Sequence, residues 1–512
     1  MFMENTMLIW ILLSPILAAI VILFLSEENK KLLRLVALGA SLIPLILSII
    51  VWVQFDPSKA GFQFEFTAPW FQAINSNFHF GIDGISLPMV LLTTILTPLA
   101  IWASFSVKDN VKAFMALFLF LETGALGVFI SLDLLVFFLF WEIGLVPMYF
   151  LINQWGGNNR NYAALKFILI TMGGSLGLLL SIQIIGLTTG TFDLIEIYQL
   201  WPSLTLAGLQ KILPFGLSIT TVKTIAFWAF VVAFAVKVPI WPVHTWLPDA
   251  HTEAPTAGSM ILAGVLLKLG AYGFIRLVIP LFPQQAQQFA TVLAVLATAA
   301  IIFGALSAFG QRDLKRLVAY SSINHMGFVV LGIAAMAYVG TSAEGALTQS
   351  ATIAMNGAIL QMFNHGLSSA GMFFLVGVIY DRAHTRQLDE LGGLWAVLPK
   401  YGSTFVFMSM ASLGLPGLNG FVSEFLIVRG AWHIFPLATA LGMIGLFFTG
   451  AYVLKAIAGL LHGPRNERWI NLSEMNLREI AIAAPLMVLI LSIGVWPSWI
   501  LDMINRAVSL FF

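Results

Sequence analysis

Apolar runs of about twenty residues recur along almost the whole chain, separated by short polar or charged stretches. A helix crossing a ~30 Å hydrocarbon core at ~1.5 Å per residue needs about that length. The pattern predicts fourteen spans: residues 7–26, 32–53, 85–106, 112–131, 133–152, 163–186, 222–247, 255–280, 288–309, 315–338, 350–380, 401–430, 436–461 and 480–500. The fourth and fifth are joined only around Ser131–Leu132–Asp133, which predicts a tight helical hairpin. The stretch 465–479 is charged and amphipathic and is expected at the membrane interface. The first apolar run, Met7 to Leu25, is too long for a signal-peptide core and lacks an A-x-A site, so it reads as a retained span.

Two spans carry backbone breakers. The seventh reads AVKVPIWPVHTWLPDAH, where Pro239 and Pro242 remove donors and clash with the preceding turn. The twelfth reads SLGLPGLNGFVSEF, with Gly414, Pro416, Gly417 and Gly420 together. Irregular backbone at membrane depth persists only where protein or a water-filled cavity satisfies it. Matching breaks in two halves point to an inverted-repeat transporter. Spans four to eight and nine to thirteen would be the halves. The predicted organisation is residues 1–111 for the first three spans, 112–280 and 288–461 for the repeats, and 465–512 for the interfacial segment and last span.

Composition narrows the class. Only 10% of residues are charged, 59% are hydrophobic and mean hydropathy is +0.93, whereas a soluble domain carries about a quarter charged. The fold class is therefore an all-α polytopic membrane protein with no room for a separate soluble domain. A net charge of +1 offers no footprint for nucleic acid. With no cysteine there is no disulfide, thiolate metal site or Cys-ligated iron–sulfur cluster. Electrons of any coupled redox reaction would travel through another chain. No GxGxxG or Walker loop marks a nucleotide site. No cofactor is expected in this chain.

Orientation follows the Lys/Arg asymmetry. With the N-terminus outside, the inside loops hold sixteen: Lys30, Lys31, Arg34, Lys108, Lys112, Arg160, Lys166, Arg312, Lys315, Arg316, Arg382, Arg386, Lys400, Arg465, Arg468 and Arg478. The outside holds six: Lys59, Lys211, Lys223, Arg276, Arg429 and Arg506. Both termini should face the non-cytoplasmic side.

Charges within the spans carry the candidate chemistry. Glu142 (VFFLFWEIGLVPMYF), Lys237 (FVVAFAVKVPIWP), Lys268 (ILAGVLLKLGAYG) and Glu424 (LNGFVSEFLIV) fall in four different spans. Each ionised group at mid-bilayer costs at least ~2.5–3.5 kcal/mol, so four of both signs read as a buried proton or ion path. Glu142 lies nine residues beyond Asp133, about 13 Å along a helix and so near mid-membrane. It is expected to pair with Lys237. Burial favours the neutral form of either group and pairing opposes this, so such a pair is a two-state element that can release a proton when its partner moves. Lys268 would be the next acceptor, and His365 (QMFNHGLSSAG) and His325 (SSINHMGF) would relay to Glu424, with Ser321, Ser322, Asn324, Asn364, Ser368 and Ser369 holding waters. The bland alternatives are hydrogen-bonded structural groups and, for Lys268, snorkelling. Two histidines without a third ligand fall short of a zinc site. Glu122 (LFLFLETGALG) is either a second carboxylate at the Glu142 site or a Thr-bonded structural residue. Lys455 reads as a snorkelling lysine. His244, Asp249, His251 and Glu253 lie in a stretch that no positive charge joins, and are expected to cap the start of span eight rather than to gate access.

Several long motifs occur in an order that resembles the antiporter-like membrane subunits of respiratory complex I, most nearly the M-type: FFLFWEIGLVPMYFLINQWGG, AFAVKVPIWPVHTWLPDAHTEAPTAGSMILAGVLLKLGAYG, QRDLKRLVAYSSINHMGF, DRAHTRQLDELGGLW and GLPGLNGFVSEF, over about residues 80–480. The resemblance implies fourteen helices with inverted five-helix repeats, the seventh and twelfth broken. It also implies that Glu142, Lys237 and Lys268 match the family's fifth-helix glutamate and its seventh- and eighth-helix lysines. The distal twelfth-helix residue is typically Glu in the M-type and Lys in its L- and N-type sisters, so Glu424 fits M. The chain also shows no long lateral helix of the kind L-type subunits append. Implied with it are proton translocation driven by electron transfer in other subunits, L- and N-type neighbours in the membrane arm, an indirect link to the peripheral redox arm, and a bacterial inner-membrane location. A subunit of a multi-subunit cation/proton antiporter shares these motifs, and a purely structural spacer is a third reading.

Overall fold

The computed structural model describes residues 6–204, 218–340, 345–464 and 466–511. Lys211 and Arg465, which enter the loop count, lie outside them. Among the described residues thirteen helices are long and apolar enough to cross a membrane, from Met7–Phe24 to Leu477–Val495. The predicted twelfth span is not among them because it is cut into Pro399–Leu413 and Asn419–Trp432, each only about 22 Å long. The cut is made at Gly414 and Gly417, both with positive φ (83° and 91°) that a side chain would resist.

The seventh span breaks as its prolines require. Helix Ile219–Lys237, capped by Ser218 Oγ on Thr221 N, stops at Lys237, and a second short helix, Trp246–Glu253, follows a run of turns. The freed backbone is satisfied inside the protein: Ile240 N donates to Ala235 O (2.8 Å), and the Trp246 indole donates to Val236 O (2.9 Å).

Two further irregularities were not anticipated. Span five turns at Gly144, dividing Leu134–Ile143 from Leu145–Trp155. Pro147 has no N–H for the Ile143 carbonyl, and a Cβ on Gly124 of span four would sit 2.9 Å from Gly144 N. The two helices therefore touch backbone to backbone one turn from Glu142. Span eight contains two π-helical stretches, Leu262–Leu266 and Phe274–Val278, on either side of Lys268. Such stretches often mark functional sites.

The fold is helical as expected, with one small β element added. Residues Gln63–Phe71 (β1) and Ser76–Ile82 (β2) form an antiparallel hairpin between spans two and three. The stretch is too short and too interrupted by polar residues to read as a span, and its alternating aromatics suit a half-buried strand. Helix Leu194–Ser203, capped by Asp193, and the amphipathic helix Ser498–Phe511 lie outside the predicted spans as well. The stretch 466–479 has one 3-10 turn, Glu467–Trp469. It is strapped to the bundle through Glu474, which accepts from Lys400 N and Tyr401 N, and through Arg382–Glu479 (2.6 Å).

The bundle is layered by lipid access. The most apolar windows of spans eight (Thr256–Leu281) and eleven (Ala346–Ala383) are 100% buried, and that of span ten (Leu314–Val339) is 94% buried. Span thirteen (Pro436–Leu461) and span six (Arg160–Thr189) are 33% buried. The helices carrying Lys268, His365 and His325 are thus shielded from lipid by the others.

Candidate functional site

Span eight's first π stretch places the Ala263 carbonyl where Lys268 Nζ donates to it. The same ammonium lies 2.8 Å from His365 Nδ1. With Nζ as donor, Nδ1 accepts and the His365 proton sits on Nε2, the ring nitrogen with no hydrogen-bond partner. The His365 and His325 rings are 5.6 Å apart between centroids. His325 Nδ1 meets Glu424 Oε1 at 2.8 Å, and its Nε2 meets the Tyr452 hydroxyl at 3.2 Å. Gln361 Nε2 donates a further bond to Glu424 Oε1 (3.0 Å). Lys268, His325, His365 and Glu424 are all less than 5% exposed. A cavity of about 10 Å³, the room one water needs, is bounded by His325, His365, Ser368 and Glu424.

The second break supports this line. Asn364, next to His365, donates to Asn419 O (2.8 Å) and Ser423 Oγ (2.9 Å) at the start of the helix that carries Glu424. Of the six polar neighbours expected to hold water, Ser368 borders the cavity. Ser321, Ser322, Asn324, Asn364 and Ser369 donate instead to protein oxygens, as in Asn324 Nδ2 to Ile301 O (2.8 Å).

The other half is arranged differently. Lys237 is 2% exposed and its Nζ has no hydrogen-bond partner. It rests over the face of Trp141, 4.8 Å from the ring centroid, and the Trp141 indole donates to Ser175 Oγ (2.9 Å). Glu142 Oε1 is unpartnered too. Glu142 and Lys237 are within electrostatic reach of each other, but no close ion pair forms between them; Lys237 instead makes a cation–π contact with the residue before Glu142. The reason is helical geometry: consecutive side chains point about 100° apart, so only one of Trp141 and Glu142 can face span seven squarely. Glu122 is 2% exposed and neither carboxyl oxygen is bonded, while Thr123 donates to Leu119 O (3.3 Å). The Thr-bonded reading of Glu122 is thereby excluded.

After the first break, the loop that no positive charge joins along the sequence gains cations from other spans. Asp249 is paired with Lys166 (2.7 Å) and Arg316 (3.4 Å), cations brought in from spans six and ten. Glu253 Oε2 accepts from Asn159 N (2.9 Å), Lys315 Nζ donates to Ala254 O, and Arg386 donates to Thr252 O (2.8 Å). No side chain caps span eight, whose N-cap is Pro255. His251 is fully buried with both ring nitrogens unpartnered, stacked on Phe373 at 4.4 Å. It lies within electrostatic reach of both Lys315 and Lys268. A cavity of about 240 Å³, bordered by Glu253, Lys315 and Arg386, opens on the face that carries the Lys/Arg-rich loops. Lys455 does not snorkel freely: its Nζ donates to Phe309 O (2.6 Å) and Gln311 O (2.8 Å), closing the end of span nine.

Known proteins resemble this chain in sequence and fold. Residues 7–129 match the family model for the amino terminus of NADH-ubiquinone oxidoreductase chain 4, and residues 131–450 match the NADH:quinone oxidoreductase/Mrp antiporter transmembrane model. NADH-quinone oxidoreductase subunit M of Rhodobacter capsulatus is 40% identical over 486 residues, covering 94% of this chain and 90% of that protein. The chain belongs to the NADH-quinone oxidoreductase subunit M family. NADH-ubiquinone oxidoreductase chain 4 of Marchantia polymorpha is 39% identical over 98% of this chain and 95% of its own length. A chain of respiratory complex I from Thermus thermophilus superposes with a TM-score of 0.85 at 25% identity, covering 99% of this chain and all of that one. A chain of the Mrp complex from Dietzia shares the fold (TM-score 0.81, 20% identity). As a member of the subunit M family, the chain is a multi-pass component of the complex I membrane arm.

Among the described residues no group of three or more His, Cys, Asp or Glu could hold a metal ion. Gln361 and Tyr452 were not singled out from the sequence. Gln361 carried a legible signal, lying one helical turn before His365 on the same face of span eleven. Tyr452 carried none, because an aromatic on an apolar span looks like packing until the tertiary structure turns its hydroxyl inward.

Proposed function

We propose that this chain moves protons across the membrane for an NADH:quinone oxidoreductase, through Lys268, His365, His325 and Glu424, with Glu142 and Lys237 forming the element that electron transfer in other subunits switches. The observation that carries this reading is the line of buried contacts from Lys268 to His365 (2.8 Å), across two tilted imidazoles 5.6 Å apart, to Glu424 (2.8 Å from His325). A line of titratable groups shielded from both lipid and bulk water is expensive unless protons use it. Glu122 belongs to the reading as a reserve carboxyl near the Glu142 helix. His251, within electrostatic reach of Lys268 and of Lys315 at the border of the 240 Å³ cavity, supplies intake from the basic face. By the Lys/Arg asymmetry that face is cytoplasmic, both termini face the other side, and the membrane is the bacterial inner membrane.

The same reading takes 112–280 and 288–461 as inverted repeats flanked by 1–111 and 465–512, with L- and N-type subunits as neighbours and no cofactor in the chain itself. Lys237→Met should abolish redox-driven proton uptake in proteoliposomes holding the intact complex. Full pumping by an assembled variant would sink the mechanism. The shared family model also covers Mrp antiporters. Purification of the chain with cation-antiporter subunits and without flavin and iron–sulfur subunits would favour that alternative.

A further inference from the structure

Away from the buried line, at the end of the bundle opposite the Lys/Arg-rich loops, three chain segments are stitched together around one imidazole. His79 of β2 is 7% exposed, and both of its ring nitrogens meet carboxylates: Nδ1 with Asp193 Oδ2 at 2.6 Å, and Nε2 with Glu65 Oε2 of β1 at 3.2 Å. A neutral imidazole has one N–H and would set a lone pair against one of those oxygens when both carboxylates are ionised, so this geometry suits the doubly protonated ring.

The carboxylates and backbone around it are committed elsewhere. Asp193 Oδ1 caps helix Leu194–Ser203 through Ile195 N (3.0 Å) and Glu196 N (3.2 Å). The His79 carbonyl accepts from Leu132 N (2.8 Å), in the link that starts span five. Leu132 O accepts from Leu194 N (2.8 Å), and Phe192 O accepts from Leu134 N (2.9 Å). Asp133 is the remaining charge in the cluster. Its oxygens accept from Ser76 Oγ and Asn77 N of the hairpin and from Leu135 N and Val136 N at the start of Glu142's helix. The charged groups that face His79 are thus Glu65 from β1 and Asp193 from the link before Leu194–Ser203, with Asp133 alongside and occupied.

We propose that His79 is a proton-sensing clamp. While charged, it locks the β-hairpin to the links before span five and before helix Leu194–Ser203; on losing its proton it leaves Glu65 and Asp193 facing an acceptor, and the hairpin loosens. On the orientation proposed above, on which this inference rests, the clamp reads the compartment that receives pumped protons and is closed when that compartment is acidic. Burial works against the charge on His79, but the bonds and fields of Asp193 and Glu65 outweigh it and hold the imidazole above its ordinary range. With the folded value raised, the stabilisation is fully present below about pH 6.5 and is lost as pH rises through the raised value.

The test uses the intact complex in sealed vesicles, with pH set on one side at a time, and hydrogen exchange of residues 63–82 corrected for intrinsic rate. Raising the non-cytoplasmic side from about pH 6 to about pH 9 should cut hairpin protection severalfold in the wild type, in the direction a raised imidazole pKa dictates. His79→Gln should flatten that response. Glu65→Gln, at a carboxylate 45% exposed and so safer for assembly, should move the loss to lower pH. A response confined to the cytoplasmic side would overturn the orientation and this inference with it. No response on either side, or the same response in His79→Gln, would overturn the clamp alone.

Discussion

The two halves of the buried charge set solve one problem in opposite ways. On the distal side every charged group has a named partner: Lys268 holds Ala263 O and His365, and Glu424 holds His325 and Gln361. On the proximal side Lys237 Nζ, Glu142 Oε1 and both oxygens of Glu122 have none. Hydrogen-bonded groups resist rearrangement, because each member fixes the next. Unpartnered buried charges carry a standing desolvation penalty and can be displaced at little further cost. The bonded half suits transfer, and the loose half suits switching.

Within the bonded half the largest effect should come from cutting its first link. Lys268→Met removes the donor to His365, and redox-driven proton uptake should fall by at least ~10²-fold, the scale of a lost proton-transfer group. Reconstituted complex assayed for proton uptake against NADH oxidation decides this. Next comes stability, where the halves should separate. Glu424→Ala strands the His325 and Gln361 donors and should cost ~1–3 kcal/mol for each one left unpaired, lowering the melting temperature of the purified complex. Glu142→Gln breaks no bond at Oε1 and should leave melting unchanged while abolishing coupled uptake. Equal melting shifts in both variants would erase the distinction.

Smaller effects refine the picture. Trp141→Phe weakens the cation–π contact to Lys237 and removes the bond to Ser175, and should slow coupled turnover severalfold, in line with ~0.5–2 kcal/mol for such a contact. Tyr452→Phe takes one bond from His325 while Glu424 keeps the other. Turnover should fall only about two- to threefold, near the low end of a single hydrogen bond. A collapse comparable to Lys268→Met would place Tyr452 in the line itself.

Much of this was legible from the chain. Runs of twenty apolar residues specify spans because no other structure satisfies backbone groups in lipid. Pro239, Pro242, Gly414 and Gly417 announce their breaks by chemistry that neighbours cannot undo. The turn at Gly144 was written in Pro147 but needed Gly124 on another helix to give it room. The β-hairpin was obscured because its strands pair with each other and dock on the links at 131–134 and 191–194 only in the tertiary structure.

The sequence by itself determined that this chain crosses a membrane many times, where its helices break, and which ionisable residues lie too deep to be accidental. All three follow from local properties: hydropathy, missing N–H groups and the cost of charge in hydrocarbon. Only the tertiary structure decided which charges meet. Lys268 and His365 are ninety-seven residues apart, and His325 and Glu424 ninety-nine; their contacts depend on how spans eight, ten, eleven and twelve pack. The same packing turned Lys237 toward Trp141 rather than Glu142, a choice of about 100° on a helix surface that no spacing along the chain could settle.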